Sequence, residues 1–408
     1  EGVIGDQYPV PDRILKYTEV LVEDYLKQEL CDNRPPKGKF DLFATEGGTA
    51  AMCYIFDSLQ QNFLLGKGDK IVLFAPVFTP YIEIPEQARY LFDVTEIHAC
   101  KMTKDGYHTW QYMEEDLDIL KDPSVKAAFI VNPSNPPSYG LTDGLMKRIV
   151  DIVRNDNPNL MIITDDVYAT YIPHFRSVMA ELPENTLCVY SFSKYFGATG
   201  WRLAVVALHE ENIYDRMLKE LPAERKEQLN ERYSQYFCSI QTEIRFHRPV
   251  WLPTAVQVAV RTANVPPVFR CRNRRKWRSL PPSPCWIARM LIRRRCSRSF
   301  TTAFIRFWES TGFTLLDDPL RAGYYSEIDM LVWAKKFYGD DFVVYLQENY
   351  EPVDVVFRLA QETSLVLLNG GGFDAPEWSI RCSLANLKRE DYVRIGEGIA
   401  SNFAQLCG

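Results

Sequence analysis

Ser191-Phe192-Ser193-Lys194-Tyr195-Phe196-Gly197-Ala198-Thr199-Gly200-Trp201-Arg202 sets one lysine among hydroxyl and small residues, with an arginine eight positions on. It follows directly on an apolar run, Leu187 to Tyr190. A lysine amine at a strand end, beside hydroxyls and a fixed cation, suits Schiff-base chemistry with an anion held close by. Outward from this point, residues 42–210 alternate apolar runs with helix-like stretches. Strands are expected at Lys70–Ala75, Leu91–Ile97, Lys126–Val131, Leu160–Thr164, Leu187–Tyr190 and Leu203–Leu208. Most are continuous apolar runs, as strands covered on both faces require. Helices are expected at Thr49–Leu64, at Thr142–Arg154 and from Glu210 onward. The pattern is α/β, a mostly parallel doubly wound sheet.

Four further segments carry polar chemistry. Ala44-Thr45-Glu46-Gly47-Gly48-Thr49 precedes a helix, where glycines and free backbone N–H groups can cradle an anion. Its spacing matches neither a dinucleotide nor a nucleoside triphosphate loop, and a plain helix start reads about as well. Phe78, in Pro76-Val77-Phe78-Thr79-Pro80-Tyr81, ends a strand where ligand crevices form, and can stack on a flat ring or simply fill a turn. Asn135, in Asn132-Pro133-Ser134-Asn135-Pro136-Pro137, can donate to a ligand oxygen or belong to a proline-rich turn. Asp165, in Thr164-Asp165-Asp166-Val167-Tyr168, ends an apolar strand; a carboxylate there calls for a cation, such as a protonated heteroaromatic nitrogen. Tyr168 can hydrogen-bond an oxygen on the same ring. For Asp166 an exposed helix-capping role stays open. In the C-terminal part, Arg381 in Ser379-Ile380-Arg381-Cys382-Ser383 suits a bidentate grip on a carboxylate, or a surface strand.

The chain has 408 residues, 46% of them hydrophobic and 25% charged, so two domains of a soluble protein are expected. A large domain is expected over 31–299, and a smaller α+β domain over 300–408 that includes residues 1–30 with an amphipathic helix from Ile14 to Leu30. The net charge of −6 argues against a nucleic-acid partner. No apolar run reaches the length of about 20 residues that spans a bilayer. The ten cysteines form no CxxC pair, which suggests no metal site and a reducing, cytoplasmic setting. The chain opens on Glu1 inside what reads as an ordered segment, so a preceding N-terminal part is expected.

One block breaks the pattern. From Ile244 to Trp308 there is no Asp or Glu against fifteen Lys and Arg. Residues 261–299 hold eleven of those arginines without a helical or strand period. A solvated basic segment or an anion-binding patch would share this composition. Unpaired arginines cannot be buried where an α/β domain needs packed helices. We therefore read 261–299 as a slip of reading frame and assign it no function.

Together and in this order, the five motifs resemble the fold-type I aminotransferase superfamily, which uses pyridoxal 5′-phosphate. The resemblance implies a large domain with a mostly parallel doubly wound sheet plus a smaller α+β domain. It implies that Lys194 is the catalytic lysine and covalent anchor, with Ser191, Arg202, Gly47, Gly48 and Thr49 around the cofactor phosphate. Phe78 then stacks on the ring, Asn135 and Tyr168 meet its 3′ oxygen, and Asp165 meets its nitrogen. Arg381 then grips the substrate α-carboxylate. The family commonly reads N-P-x-N-P-T-G, whereas Asn135 here is followed by Pro136, Pro137 and Ser138. The wording of the motifs is similar to the aspartate 4-decarboxylase branch. That likeness implies conversion of L-aspartate to L-alanine and CO2, aspartate aminotransferase activity on the side, and a homodimer or larger homo-oligomer. The alternative is an aspartate or aromatic aminotransferase without decarboxylation.

Resequencing the gene across codons 244–308 is expected to restore a frame with interspersed Asp and Glu; an unchanged read would refute the slip.

Overall fold

The computed structural model describes residues 14, 16–103, 108–233, 302–313, 317–385 and 387–406. The block 261–299, read above as a frame slip, lies outside the described residues. Seven strands form the large sheet: β1 Phe40–Thr45, β2 Lys70–Ala75, β3 Asp93–His98, β4 Val125–Val131, β5 Met161–Asp165, β6 Thr186–Ser191 and β7 Ala204–His209. Their order is β1-β7-β6-β5-β4-β2-β3. All neighbours from β6 to β3 are parallel, and β7 runs antiparallel to both β6 and β1.

This topology explains why motifs far apart in sequence share one edge. β1, β2, β4, β5 and β6 point the same way, so their C-terminal ends lie together. β7 points the other way, so its beginning joins them: Ala204 pairs with Thr45 of β1 on one side and Ser191 of β6 on the other. The segments after Thr45, Ala75, Val131, Asp165 and Ser191, and Arg202 just before β7, therefore converge. This is the crevice outside the strand ends that open α/β sheets use for ligands.

Alternation along the buried strands splits the core. Ile71, Leu73, Ala127, Phe129, Met161 and Ile163 face helix α2 (Gly48–Gln61), which contributes Met52, Ile55, Phe56 and Leu59. Phe56 stacks on Phe129 with ring centroids 4.6 Å apart. Val72, Phe74, Ala128, Ile130 and Ile162 face the opposite way, towards Leu145, Ile149, Ile152 and Val153 of Asp143–Asn155. Helices thus cover both faces, as the continuous apolar strands require.

The helix expected from Ile14 forms as α1, Lys16–Leu30. Its buried side meets the large sheet, in contrast to the expected grouping with the smaller domain. Val22, Leu26 and Leu30 pack with Phe40, Leu42 and Tyr190, and Tyr25 Oη bonds Tyr190 Oη at 2.8 Å. The smaller unit holds a three-stranded antiparallel sheet, β8 (Tyr325–Asp329), β10 (Ser379–Ser383) and β9 (Leu368–Asn369). Helices Met330–Tyr338, Pro352–Thr363 and Arg389–Leu406 cover it around Ile328, Trp333, Leu359, Ile380 and Phe403. No helix among the described residues is long and apolar enough to cross a membrane.

Candidate functional site

At the common strand edge lies a cleft of about 650 Å³ measured out to its mouth. Gly48, Thr49, Phe78, Asn135, Asp165, Tyr168, Ser191, Lys194 and Arg202 line it, as do Tyr81, Val131, Val167, Ser193, Thr199 and Tyr325. Nine of the eleven site residues expected from sequence therefore meet here, and the other two, Gly47 and Arg381, touch their neighbours.

Gly47 is the N-cap of α2, with φ of 109° and no side-chain capping bond. A Cβ at this position would lie 2.0 Å from Arg202 Nη2. The glycine is thus required both by its backbone angle and by the guanidinium against it. The first N–H groups of a 14-residue helix, uncapped by any side chain, and a guanidinium meet at one point. This is a strong anion site in principle. Hydroxyls surround it: Ser191 Oγ donates to Ser193 Oγ at 2.9 Å, and Thr199 Oγ1 donates to the Ser193 carbonyl at 2.8 Å.

Asp165 sits at the end of β5, only 7% exposed. Tyr81 Oη donates to its Oδ2, and the Val167 N–H donates to its Oδ1 at 3.1 Å. Burial pushes this carboxyl up, and the bonds from Tyr81 and Val167 and the charge of Lys194 pull it back. Next to it, Asp166 is fully buried, which corrects the exposed capping role left open above. It points away from the cleft to Ser177 Oγ, which donates to Oδ2, and to Cys188 Sγ at 3.3 Å. Burial pushes Asp166 up to about 7, opposed by Ser177 and Cys188 and reinforced by Asp165.

Lys194 follows β6 by three residues, and its Nζ donates to Tyr325 Oη at 3.2 Å. Arg381 is the middle residue of β10, flanked by the buried Ile380 and Cys382. Its Nη1 donates to Asn135 Oδ1 at 3.1 Å, which leaves the amide nitrogen of Asn135 to donate elsewhere. Its guanidinium carbon lies 4.4 Å from the Tyr325 ring centroid and 4.3 Å from that of Phe373. Two aromatic faces thus fix a cation at the rim of the cleft.

Sequence reasoning missed Tyr81 and Tyr325. Tyr81 had a local signal: it lies three residues after Phe78, one turn on at the start of Pro80–Glu86. Tyr325 had none, because it comes from the smaller unit across a long sequence gap.

The sequence profile of the class I and II aminotransferases matches residues 45–267. The chain is 39% identical, over 98% of its own length and 73% of the relative's, to a bifunctional aspartate aminotransferase and L-aspartate β-decarboxylase of a Pseudomonas species. An aspartate aminotransferase of Pyrococcus horikoshii is 30% identical over 37% of each chain. Among solved structures, a Thermus thermophilus aspartate aminotransferase double mutant superposes with a TM-score of 0.65 at 16% identity, over 97% of this chain and 84% of that one. An alanine aminotransferase of Pyrococcus furiosus gives 0.66 at 13% identity, over 96% and 83%. These two show the shared fold.

Gly47→Ala is expected to weaken phosphate-monoester binding at least about tenfold, because a methyl group would displace Arg202; calorimetry with pyridoxal 5′-phosphate reads this, and unchanged affinity would refute the anion site. A carboxyl raised in the folded state binds its proton there more tightly than in the unfolded chain. Stability should therefore fall as pH rises from about 4, the unfolded value, to about 7, the folded value of Asp166. Asp166→Asn is expected to flatten that fall by up to about 1.4 kcal/mol per pH unit. Urea unfolding at several pH values checks it, and parallel slopes for the two proteins would contradict it.

Proposed function

The chain belongs to the class I and II aminotransferase family, and from that premise we propose that it binds pyridoxal 5′-phosphate in this cleft and converts L-aspartate to L-alanine and CO2, with aspartate transamination as a side reaction. The reading is supported most by one arrangement. A lysine amine stands in a cleft that has an uncapped helix N-terminus and Arg202 on one side, a buried carboxylate on another and Arg381 at its rim. The decarboxylase part is supported by the 39% identity to the bifunctional Pseudomonas protein.

The residues fit the cofactor. Arg202, Ser191, Gly47, Gly48, Thr49 and the start of α2 would hold its phosphate, with Gly47 leaving the room that a side chain would fill. Phe78 offers a ring face, Asn135 and Tyr168 offer donors for the ring oxygen, and Asp165 offers a buried negative charge for the ring nitrogen. When bound, the cofactor supplies an electron sink for the pair left at a carbon of the substrate.

The chain's own groups do the rest. Arg381 would hold the α-carboxylate and orient Cα towards Lys194. Lys194, once its amine is free, takes the Cα proton as general base and later returns a proton to the substrate. Asp165 would face the ring nitrogen in a site shielded from water, where a carboxylate acts strongly. CO2 leaves when the bond from Cβ to the side-chain carboxyl breaks, and an apolar surround favours this loss. The protein is proposed to act as a homo-oligomer, in the cytoplasm.

The purified protein, given pyridoxal 5′-phosphate and L-aspartate alone, is expected to form CO2 and alanine over many turnovers, and to form glutamate when 2-oxoglutarate is added. A single half-turnover without sustained CO2 would favour the plain aminotransferase. Lys194→Ala is expected to lose activity by several orders of magnitude and the absorbance of the lysine-bound cofactor with it.

A further inference from the structure

Tyr325 is buried in the cleft wall and comes from β8 of the smaller unit. Its Oη is 3.2 Å from Lys194 Nζ and accepts a hydrogen bond from it. Four contacts fix the phenol. The Tyr325 N–H donates to Ser138 Oγ at 2.9 Å. Its ring stands edge-on to Tyr168 with centroids 5.6 Å apart, and edge-on to Tyr324 at 4.9 Å. The Arg381 guanidinium lies over it at 4.4 Å. Ser138 is fully buried, with a φ of 64°, and occupies the place where the family usually has glycine. Its carbonyl also accepts from Ala322 N at 2.8 Å. Of the two residues at which the Asn-Pro motif departs from the family wording, Pro137 and Ser138, the second is thus the one that seats Tyr325.

Lys194 has a long, freely rotating stem, and a tyrosine has two torsions held here by packing. The rigid group therefore sets where the mobile amine rests. Resting on the proposed function above, we propose that Tyr325 is a positioning residue for Lys194. It holds the amine whenever that amine is released from the cofactor, and so directs a proton to Cβ of the substrate before a second proton, at Cα, completes alanine. Two outcomes compete at that point. In one, the bond from Cβ to the carboxyl carbon breaks, CO2 departs without the electron pair, and Cβ keeps the pair and takes one proton, which leads to alanine. In the other, water attacks Cα and oxaloacetate departs, with the amino group left on the cofactor. An amine held at Tyr325 protonates Cβ before CO2 can recombine with it, which makes CO2 loss irreversible and favours the first. The other titratable and charged groups around the pair are Asp165, Tyr168, Tyr324 and Arg381, and Lys194 Nζ is 5.3 Å from the Tyr324 ring centroid.

The test is Tyr325→Phe in the full chain, loaded with pyridoxal 5′-phosphate and given L-aspartate. The ratio of oxaloacetate to alanine is expected to rise about fivefold, the effect of one hydrogen bond on a rate ratio, with KM little changed. A second readout needs no turnover: the rate at which the cofactor-free protein captures pyridoxal 5′-phosphate, followed by absorbance across pH. Capture needs the amine held in the cleft, so the rate is expected to fall in Tyr325→Phe, and to fall at every pH tested. An unchanged product ratio or an unchanged capture profile overturns the proposal. If the unmodified protein forms no alanine and CO2, the function reading fails and this inference falls with it; an active parent with an indifferent Tyr325→Phe overturns the inference alone. Should Tyr325→Phe not accumulate as folded protein, 3-fluorotyrosine at 325, nearly isosteric and a weaker acceptor, carries the same two readouts.

Discussion

A carboxylate at the end of a fully buried strand is the constraint around which this cleft is built. Asp165 ends β5, the middle strand of seven, where water is scarce and an uncompensated charge is costly. The chain offsets this only in part, with one phenol from Tyr81 and one N–H from Val167. Neither neutralises the charge. Lys194 lowers the carboxyl from further off. The charge is thus only partly met within the chain, and the carboxyl positions other parts: Tyr81 fixes the start of the helix after Phe78, and Phe78 forms the wall beside it, its ring 5.8 Å from that of Tyr81.

The smaller unit is not an appendage to that cleft. Its turn at 370–373 docks on the Phe78 segment: the Val77 N–H donates to the Phe373 carbonyl at 2.8 Å, and Thr79 Oγ1 donates to the Gly372 carbonyl. Gly370 has no room for a side chain, since a Cβ would fall 1.8 Å from Ser379 Oγ. Gly140 N–H reaches the Leu320 carbonyl at 2.8 Å. Arg381 from β10 and Tyr325 from β8 enter the cleft side by side, on strands that pair Arg381 with Glu327 and Ser383 with Tyr325. Both strands therefore have to be in register before the cation at the rim and the phenol beside Lys194 can be in place together.

Much of this was legible in the sequence, for physical reasons. Doubly covered strands must be apolar throughout, so β2 and β4 to β7 stood out as runs and were placed within two residues. Loops after parallel strands share an edge, so motifs read separately could be read as one site. What stayed hidden depended on long-range partners. β1 has alternating exposure, with Ala44 exposed between Phe43 and Thr45, and gave no continuous run. α1 showed its amphipathic period but not which surface it would cover. Tyr325 is an ordinary strand aromatic until β8 brings it to Lys194. Ser138 was visible as a departure from the family wording, but its partner in β8 was not.

The neighbouring carboxyls Asp165 and Asp166 show how the fold avoids two adjacent buried charges. Consecutive residues at a strand end point to opposite sides, so one carboxyl faces the cleft and the other the core. The core-facing Asp166 has the hydroxyls of Ser177 and Thr164 and the Cys188 thiol beside it, and burial still lifts it to about 7. Below that pH it is mostly neutral, and its repulsion of Asp165 is switched off. Burial raises Asp165 as well, while a phenol, a backbone N–H and the charge of Lys194 pull it back. Two carboxyls of the same type, one residue apart, are thus both raised by burial and differ in the groups that oppose it. The fold tolerates the pair because Asp166, on the core side, can give its charge up.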